Sequence, residues 1–363
     1  MNIMFINSSK KWGGNERWTA SAAEGLAGRG HSVSLIARSK IFNGRLPEAV
    51  RIHKMPIRHD LDVETFLPLV KLIRELGIDV LMPTKRKEYF IAGALGKLLK
   101  IPVVFRLGIV RTIPQWDLPQ RYVYSALPTA LVVNAKKIKE VLVANKIADE
   151  EKINVIYNGY EFEPVREPAR KTNKFIFAAA GRLAPQKGYD LLLQSARILK
   201  ESTGEFILII AGDGPAREEY EKFIAESALG ENVILAGEID NARELFAAAD
   251  CVAIPSRNEG VPNTLFEAWS VGRAAVCSDA AGIPEVVESG VDGIIAPLEP
   301  REFAGAMLAA MADRNALAAM GARGKEKLET HFTMDRMLTS LENVFEKVID
   351  EVKNQKKRPK KRV

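Results

Sequence analysis

With 363 residues, 47% of them hydrophobic, the chain has ample apolar material for two domains at roughly 150 residues each. No apolar run approaches the ~18 residues of a membrane span, no basic leader precedes a long apolar stretch at the N-terminus, and the only cysteines, Cys251 and Cys277, give no framework for disulfides or a zinc site, so a soluble cytoplasmic protein is expected. The net charge of +6 is unevenly spread: residues 1–165 hold 25 basic and 16 acidic side chains (+9), residues 166–352 hold 20 and 30 (−10), and the last eleven add seven positives, which argues against a nucleic-acid surface along the whole molecule.

Apolar runs of strand length alternate with longer segments of helical spacing. In the first half the runs are residues 3–6, 33–37, 50–55, 80–82, 102–107, 130–133 and 155–157. After the first run, Gly13 and Gly14 form a turn, and a helix is predicted from Asn15-Glu16 to Arg29 with Ala20, Ala23, Leu26 and Ala27 on one face. Gly30 fits the left-handed stop position. Residues 84–121 carry eight basic side chains against Glu88 and Asp117, which reads either as a surface for an anionic partner or as an ordinary solvated face.

Asn158-Gly159 precedes a polar stretch, residues 161–168, whose Pro164 and Pro168 suit a linker. The pattern then restarts with runs at 175–180, 206–211, 233–235, 251–254 and 275–277. Both halves are predicted to be α/β domains, each a doubly wound, mostly parallel sheet with helices on both faces. The predicted boundaries are 1–163 and 164–334. A helix over 335–352 with Met337, Leu341, Val344, Val348 and Val352 on one stripe follows, and then a disordered polybasic tail over 353–363. Such a tail either keeps the protein in solution or holds it at an anionic leaflet, at about 1 kcal/mol per cation.

Ligands of open parallel sheets bind beyond the carboxyl ends of the strands. Three turns there carry chemistry: Gly13-Gly14; Gly181-Arg182-Leu183-Ala184-Pro185-Gln186-Lys187-Gly188; and Glu259-Gly260-Val261-Pro262-Asn263-Thr264-Leu265-Phe266-Glu267-Ala268. Arg182 and Lys187, five residues apart in a glycine-bounded turn, can grip a diphosphate, and Glu259 and Glu267 can accept hydrogen bonds from sugar hydroxyls. A nucleoside diphosphate sugar carries both groups. The competing chemical reading makes the two glutamates a general acid and base, as in a glycosidase. Gly212-Asp213-Gly214-Pro215 reads as a structural bend.

In this order and spacing, with Tyr157-Asn158-Gly159 ahead of the linker, these pieces resemble the retaining glycosyltransferases of the large group four. The resemblance implies the GT-B architecture, two Rossmann-like domains facing a cleft with a C-terminal helix crossing back to the first. By the resemblance, Arg182 and Lys187 bind the donor diphosphate and stabilise it as a leaving group, and Glu267 accepts from the ribose hydroxyls. Glu259 is expected near the transferred sugar. Gly181 and the segment Gly260, Val261, Pro262, Asn263 and Thr264 then line the donor site. Gly13 and Gly14 approach the donor phosphates from the other domain. The catalytic set is Arg182, Lys187 and Glu259.

One position departs from the family. Many members carry a histidine after the fifth strand of the first domain, where this chain has Val104-Phe105-Arg106-Leu107-Gly108. Arg106 takes that place, either as a contact to donor phosphate or an anionic acceptor or in a supporting ion pair. His31, His53, His59 and His331 read as structural. No Asp-rich metal motif is present, so transfer without a metal or other cofactor is expected, the departing phosphate taking the acceptor proton. The donor expected is a UDP-sugar, with GDP- and ADP-sugars as alternatives, and the acceptor an anionic glycan or glycolipid such as a lipopolysaccharide core, handled at the inner face of the cytoplasmic membrane. A sugar-nucleotide epimerase of the same architecture and a non-catalytic nucleotide-sugar-binding protein stay open. Nucleic acid is not an expected partner, with 7% aromatics and no recognition module.

Overall fold

The computed structural model describes residues 1–55, 57, 63–109, 113–162, 165 and 172–357. Two compact units result: Met1–Gly159 with the segment from Met334 onward, and Tyr160–Thr333. In the first, β1 (Asn2–Asn7), β2 (Ser32–Ala37), β3 (Val50–Lys54) and β4 (Val80–Pro83) form a parallel sheet in the order β3-β2-β1-β4. β5 (Val104–Leu107), β6 (Ala130–Val133) and β7 (Ile153–Val155) extend it as a second parallel ladder. A parallel bridge between Leu81 and Val103, with the Leu81 N–H donating to the Pro102 carbonyl at 3.1 Å, sets β5 beside β4.

These strands are apolar on both faces because helices cover both. Met4, Ile6, Leu81, Phe105 and Leu131 bury one face with α2 (Val63–Glu75), α3 (Arg86–Leu99), α4 (Leu118–Ala126) and α5 (Lys136–Ala144). The alternate residues Ile3, Phe5, Leu35, Val80, Val104 and Val132 bury the other with α1 (Gly14–Gly28). Gly30 adopts φ +87 just after α1, the left-handed stop that its position predicts.

The second unit repeats the plan. β8 (Phe175–Ala180), β9 (Phe206–Ala211), β10 (Val233–Gly237), β11 (Cys251–Ile254), β12 (Ala275–Ser278) and β13 (Ile294–Ala296) are parallel in the order β10-β9-β8-β11-β12-β13. Its helices are α6 (Tyr189–Ser202), α7 (Arg217–Glu226), α8 (Ala242–Ala248), α9 (Asn263–Ser270), α10 (Pro300–Ala312) and α11 (Arg314–His331). The chain then returns to the first unit as α12 (Met334–Lys357), whose Met337, Leu341, Val344 and Val348 join the α1 side of the core at i, i+3 and i+4 spacing. Strand order reverses at β1/β4 in one unit and at β8/β11 in the other, which is where parallel sheets open a crevice for ligands.

The structure departs from the sequence reading at several element ends, as in α12 and β7, and in one strand, β13, that was not predicted. α12 runs to Lys357, past the predicted end at 352, because Lys353, Asn354 and Gln355 continue the helix with exposed side chains. β7 starts at Ile153 rather than 155: Ile153 is buried and pairs with Leu131, while Asn154 masks the run in the sequence. β13, three residues on the sheet edge, escapes notice between Gly293 and Pro297. Cys251 and Cys277 are free and buried, and burial pushes the Cys251 thiol up to about 12 and that of Cys277 well above its usual value. His59, Pro164, Pro168 and the tail from Arg358 lie outside the described residues.

α11 crosses α9 through glycines. A Cβ on Gly321 would stand 2.1 Å from the Gly272 carbonyl oxygen, and one on Gly324 would stand 2.4 Å from the buried Trp269 ring, whose N–H donates to the Asp292 carbonyl at 3.0 Å. Gly305 on α10 faces open space. Gly305→Ala is therefore expected to stabilise the protein by about 0.5–1 kcal/mol. Gly321→Ala should destabilise it by about 1–3 kcal/mol, because backbone must move. Urea unfolding of the two variants checks the opposite signs.

Candidate functional site

In the second unit, two turns leave the carboxyl ends of β8 and β11 side by side. The first, residues 181–188, begins at Gly181, whose N–H donates to the Ala211 carbonyl at 2.9 Å. Leu183 is its buried anchor, donating to the Asp213 carbonyl at 3.0 Å. A single 3-10 turn over Pro185–Lys187 follows, then Gly188 at φ +72. A Cβ on Gly188 would sit 1.9 Å from the Pro255 carbonyl oxygen, so only glycine lets this turn press against the exit of β11. Arg257 closes the join. Its N–H donates to the Gln186 carbonyl at 2.8 Å, and its guanidinium forks onto the Asp190 carboxylate at 2.6 and 2.7 Å. Burial works to raise the Asp190 carboxyl, but the Arg257 hydrogen bonds and charge outweigh it and hold the group below its usual value. Beneath, Gly212 and Gly214 lie too close to the Gly181 and Leu183 carbonyls for any side chain, so Gly212-Asp213-Gly214-Pro215 is packing under the first turn.

The predicted cations differ in their surroundings. Arg182 is exposed and makes no ion pair or side-chain hydrogen bond among the described residues. Lys187 pairs with Glu259, Nζ to Oε1 at 2.5 Å, with side chains only 16% and 15% exposed. The Ser256 hydroxyl donates to the other carboxylate oxygen of Glu259 at 3.4 Å. Gly260 accepts from the Gly282 N–H at 3.2 Å, Val261 is buried, and Pro262 caps α9, which opens with Asn263 and Thr264. Glu267 follows Asn263 by one turn and is buried on α9. Its carbonyl accepts from the Ser270 hydroxyl at 2.8 Å, and that hydroxyl also meets Tyr160 at 2.9 Å. Gly181, Arg182, Lys187, Glu259 through Thr264 and Glu267 thus belong to one unit and to the turns at its strand-order reversal. The sequence reading gave phosphate to the cations and sugar to the acids, whereas here one cation and one acid hold each other.

In the first unit, Gly13 is extended (φ −170), a conformation open to any residue, and a Cβ there would stand 3.1 Å from a Glu16 carboxylate oxygen. Gly14 opens α1. Glu16, buried in the first turn where the helix dipole favours an anion, pairs with Lys85 at 2.7 Å. Glu88, at the start of α3, accepts from the Ser8 N–H and the Lys85 N–H, both at 2.6 Å, and burial pushes its carboxyl up to about 7. The sequence reading passed over this Glu16, Lys85, Glu88 cluster; the three-residue spacing of Lys85 and Glu88 at a helix start was its only local signal.

Arg106 lies in β5, one residue before its end, and is 6% exposed. It donates to Asn15 Oδ1 at 2.6 Å and Asn158 Oδ1 at 3.2 Å, its guanidinium lies over the Trp18 ring at 4.2 Å, and its carbonyl accepts from the Tyr89 hydroxyl at 2.5 Å. Burial brings its pKa down to about 10, which leaves it charged at neutral pH. Among the described residues no carboxylate pairs with it directly, so the supporting ion pair that the sequence admitted is not what the side chain makes. His31 bonds Glu342 at 2.9 Å, His331 bonds Thr330 at 2.7 Å, and burial lowers the pKa of His53 in β3.

A groove of about 670 Å³ lies elsewhere, at the edge of the first unit where β5 and β6 begin, lined by Lys97, Lys100, Lys152 and Lys347 among others; no predicted site residue borders it. No group of three or more metal-ligating side chains occurs among the described residues, and no described helix is long and apolar enough to cross a membrane.

Two family models divide the chain between them: glycosyltransferase family 4 matches residues 12–163, and glycosyl transferases group 1 matches residues 162–327. Among curated proteins, the lipopolysaccharide core biosynthesis glycosyltransferase LpsD of Rhizobium meliloti is 25% identical over 361 residues, covering 96% of this chain and 98% of that protein. The Escherichia coli UDP-Gal:alpha-D-GlcNAc-diphosphoundecaprenol alpha-1,3-galactosyltransferase is 22% identical over 310 residues, 78% and 79% of the two chains. Among solved structures, Anabaena Alr3699/HepE in complex with UDP superposes with a TM-score of 0.82 at 19% identity, over 96% of this chain and 100% of the other.

The Lys187–Glu259 pair has a measurable consequence. Glu259→Gln removes negative charge beside Lys187 and keeps the side chain's shape, so binding of a free nucleoside diphosphate is expected to tighten by about tenfold, or 1.4 kcal/mol. Lys187→Met should weaken it. Isothermal titration of the two variants against the unaltered protein reads both signs.

Proposed function

This chain belongs to the family 4 glycosyltransferases, enzymes of glycosyl transfer with the GT-B fold, and from that premise we propose that it moves a sugar from a nucleoside diphosphate sugar to an anionic glycan or glycolipid of the cell envelope, retaining the anomeric configuration. The observation that carries the donor half is the partnering of the two cations: Arg182 is free and solvent-facing, while Lys187 is held beside Glu259 in the same turn cluster. HepE, of the same fold, is described with UDP and with UDP-glucose, which favours a UDP-sugar over GDP- and ADP-sugars.

In this reading the diphosphate draws Lys187 toward itself and takes Arg182 as a second positive partner. Negative charge builds on the departing phosphate as the glycosidic bond breaks, and fixed cations stabilise that charge more than the ground state. Glu259, freed from sole pairing with Lys187, accepts from hydroxyls of the transferred sugar, and Glu267 accepts from the ribose. The departing phosphate takes the acceptor's proton, so no protein base and no metal ion are needed. Backbone groups of residues 260–264 at the start of α9 line the donor site. Arg106 acts on the acceptor side, holding Asn15 and Asn158 in place from its seat on Trp18.

A thermal-shift panel of UDP-, GDP-, ADP- and CMP-sugars tests the donor: a UDP-sugar should raise the melting temperature most, and no shift with any would count against the reading. With the responding donor, Arg182→Ala should lower kcat by about 10²–10³-fold. Chelator should leave activity intact; loss restored by Mg²⁺ would refute the metal-free mechanism. Turnover of donor without acceptor would point instead to an epimerase.

Charge and relatives support the acceptor half of the reading. The first 165 residues carry +9, and LpsD and the E. coli galactosyltransferase are named for lipopolysaccharide core and for a diphosphoundecaprenol-linked sugar. The seven cations of residues 353–363 supply further attraction to the inner face of the cytoplasmic membrane. Removing those residues is expected to lower sedimentation with anionic vesicles and leave donor affinity unchanged.

A further inference from the structure

In the first unit, the turns that leave the carboxyl ends of β1 and β2, residues 8–13 and 38–46, are tied to each other. The Ser39 hydroxyl donates to the Ser9 carbonyl at 2.7 Å, and the Lys85 ammonium donates to the Ser9 hydroxyl at 2.6 Å. In the second turn a single 3-10 turn over Lys40–Phe42 is followed by Arg45, whose N–H donates to the Phe42 carbonyl at 3.1 Å. Phe42 is fully buried and meets Trp12 edge to face at 5.7 Å, and the Arg45 guanidinium lies over the Trp12 ring at 4.5 Å. Trp12 is thus half-buried and fixed in orientation.

Five cations stand on the two turns, Lys10, Lys11, Arg38, Lys40 and Arg45, and no acidic residue does. None of the five makes an ion pair among the described residues. Elsewhere lysines are neutralised: Lys85, Lys187 and Lys327 hold carboxylates at 2.7, 2.5 and 2.7 Å. Like charges gathered without partners repel one another, and a bound anion relieves that repulsion.

The chemistry of the patch selects its ligand. A carboxylate brings one charge and is matched best by an arginine fork, whereas a phosphomonoester brings about −1.5 to −2 at neutral pH and takes ammonium groups as point charges. Lysines are the majority here. A bilayer is a poor match, because none of the large exposed apolar side chains among the described residues belongs to either turn, and Phe42 and Arg45 hold Trp12 back. Single-stranded nucleic acid calls for aromatic side chains in series, and one indole stands here. The C–H face of a sugar ring packs on an indole as an apolar surface does. We propose that this patch is a subsite for a phosphorylated sugar of the acceptor, with Lys10, Lys11, Lys40 and Arg45 on the phosphate and Trp12 against the ring that carries it. The proposal rests on the acceptor half of the functional reading and narrows its anionic group to a phosphomonoester.

The test measures binding to the full chain in excess UDP. Its probes are a lipopolysaccharide core oligosaccharide freed of lipid by mild acid, and the same oligosaccharide stripped of phosphate by hydrofluoric acid. The K10S/K11S/K40S protein should bind the phosphorylated form at least about tenfold more weakly than the unaltered protein, with an unchanged unfolding midpoint, and the two proteins should bind the stripped form alike. Added salt should narrow the difference. Trp12→Ala should weaken both forms. Failure of the unaltered protein to bind the phosphorylated form, equal weakening of both forms by the lysine variant, or an RNA oligonucleotide bound more tightly than the oligosaccharide would each overturn the proposal. So would a weaker affinity of the lysine variant for UDP itself, which would assign the patch to donor phosphate. A protein that binds the phosphorylated form and transfers sugar to neither would refute the acceptor reading alone.

Discussion

The approach of Gly188 to Pro255, where a Cβ would have 1.9 Å of space, is the constraint on which the second unit's site depends. β8 and β11 are neighbours in the sheet, and their exits carry residues that chemistry needs together. Only at this separation can Arg257 reach both the Gln186 carbonyl and Asp190, and only then does Lys187 meet Glu259. Parallel topology creates the crevice, and one missing methyl group lets its two walls touch.

Charge in that crevice is arranged in a graded way. Arg182 stands in solvent, Lys187 is half-screened by a carboxylate, and the Glu259 charge is in turn felt by the buried Tyr189, whose phenol is pushed upward first by burial and then by that neighbour. A site that already balances its own charges does not hold an anion as tightly as bare cations would. That suits an enzyme that must release a nucleoside diphosphate after each transfer, and it follows from geometry that linear sequence does not display.

Much of the architecture was legible because its signals are local. Apolar runs buried on both faces announce parallel strands, and Gly30 and the Met337-Leu341-Val344-Val348 stripe mark helix ends and faces. The turns carrying Arg182, Lys187 and Glu259 could be found by their order along the chain. What stayed hidden is long-range or averaged. The Lys187–Glu259 pair joins residues distant in sequence, and the Glu16–Lys85 pair does the same in the first unit. Counting charges over residues 84–121 hid the basic patch around Trp12, because the meeting of two turns is not a property of composition. β7 and β13 were shifted or missed because edge strands of three residues leave too short a period to detect.

The chain leaves its first unit at Gly159 and returns to it at Met334. During synthesis, therefore, the layer that α12 adds beside α1 on this side of the core is absent until everything between has emerged from the ribosome. At typical elongation rates that delay is on the order of ten seconds or more. The opening half must wait with that core incomplete and the apolar side of α1 that meets α12 uncovered, while the later half, continuous in sequence, can finish first. Birth order and completion order are thereby inverted, and the nascent protein has most need of a chaperone at its beginning.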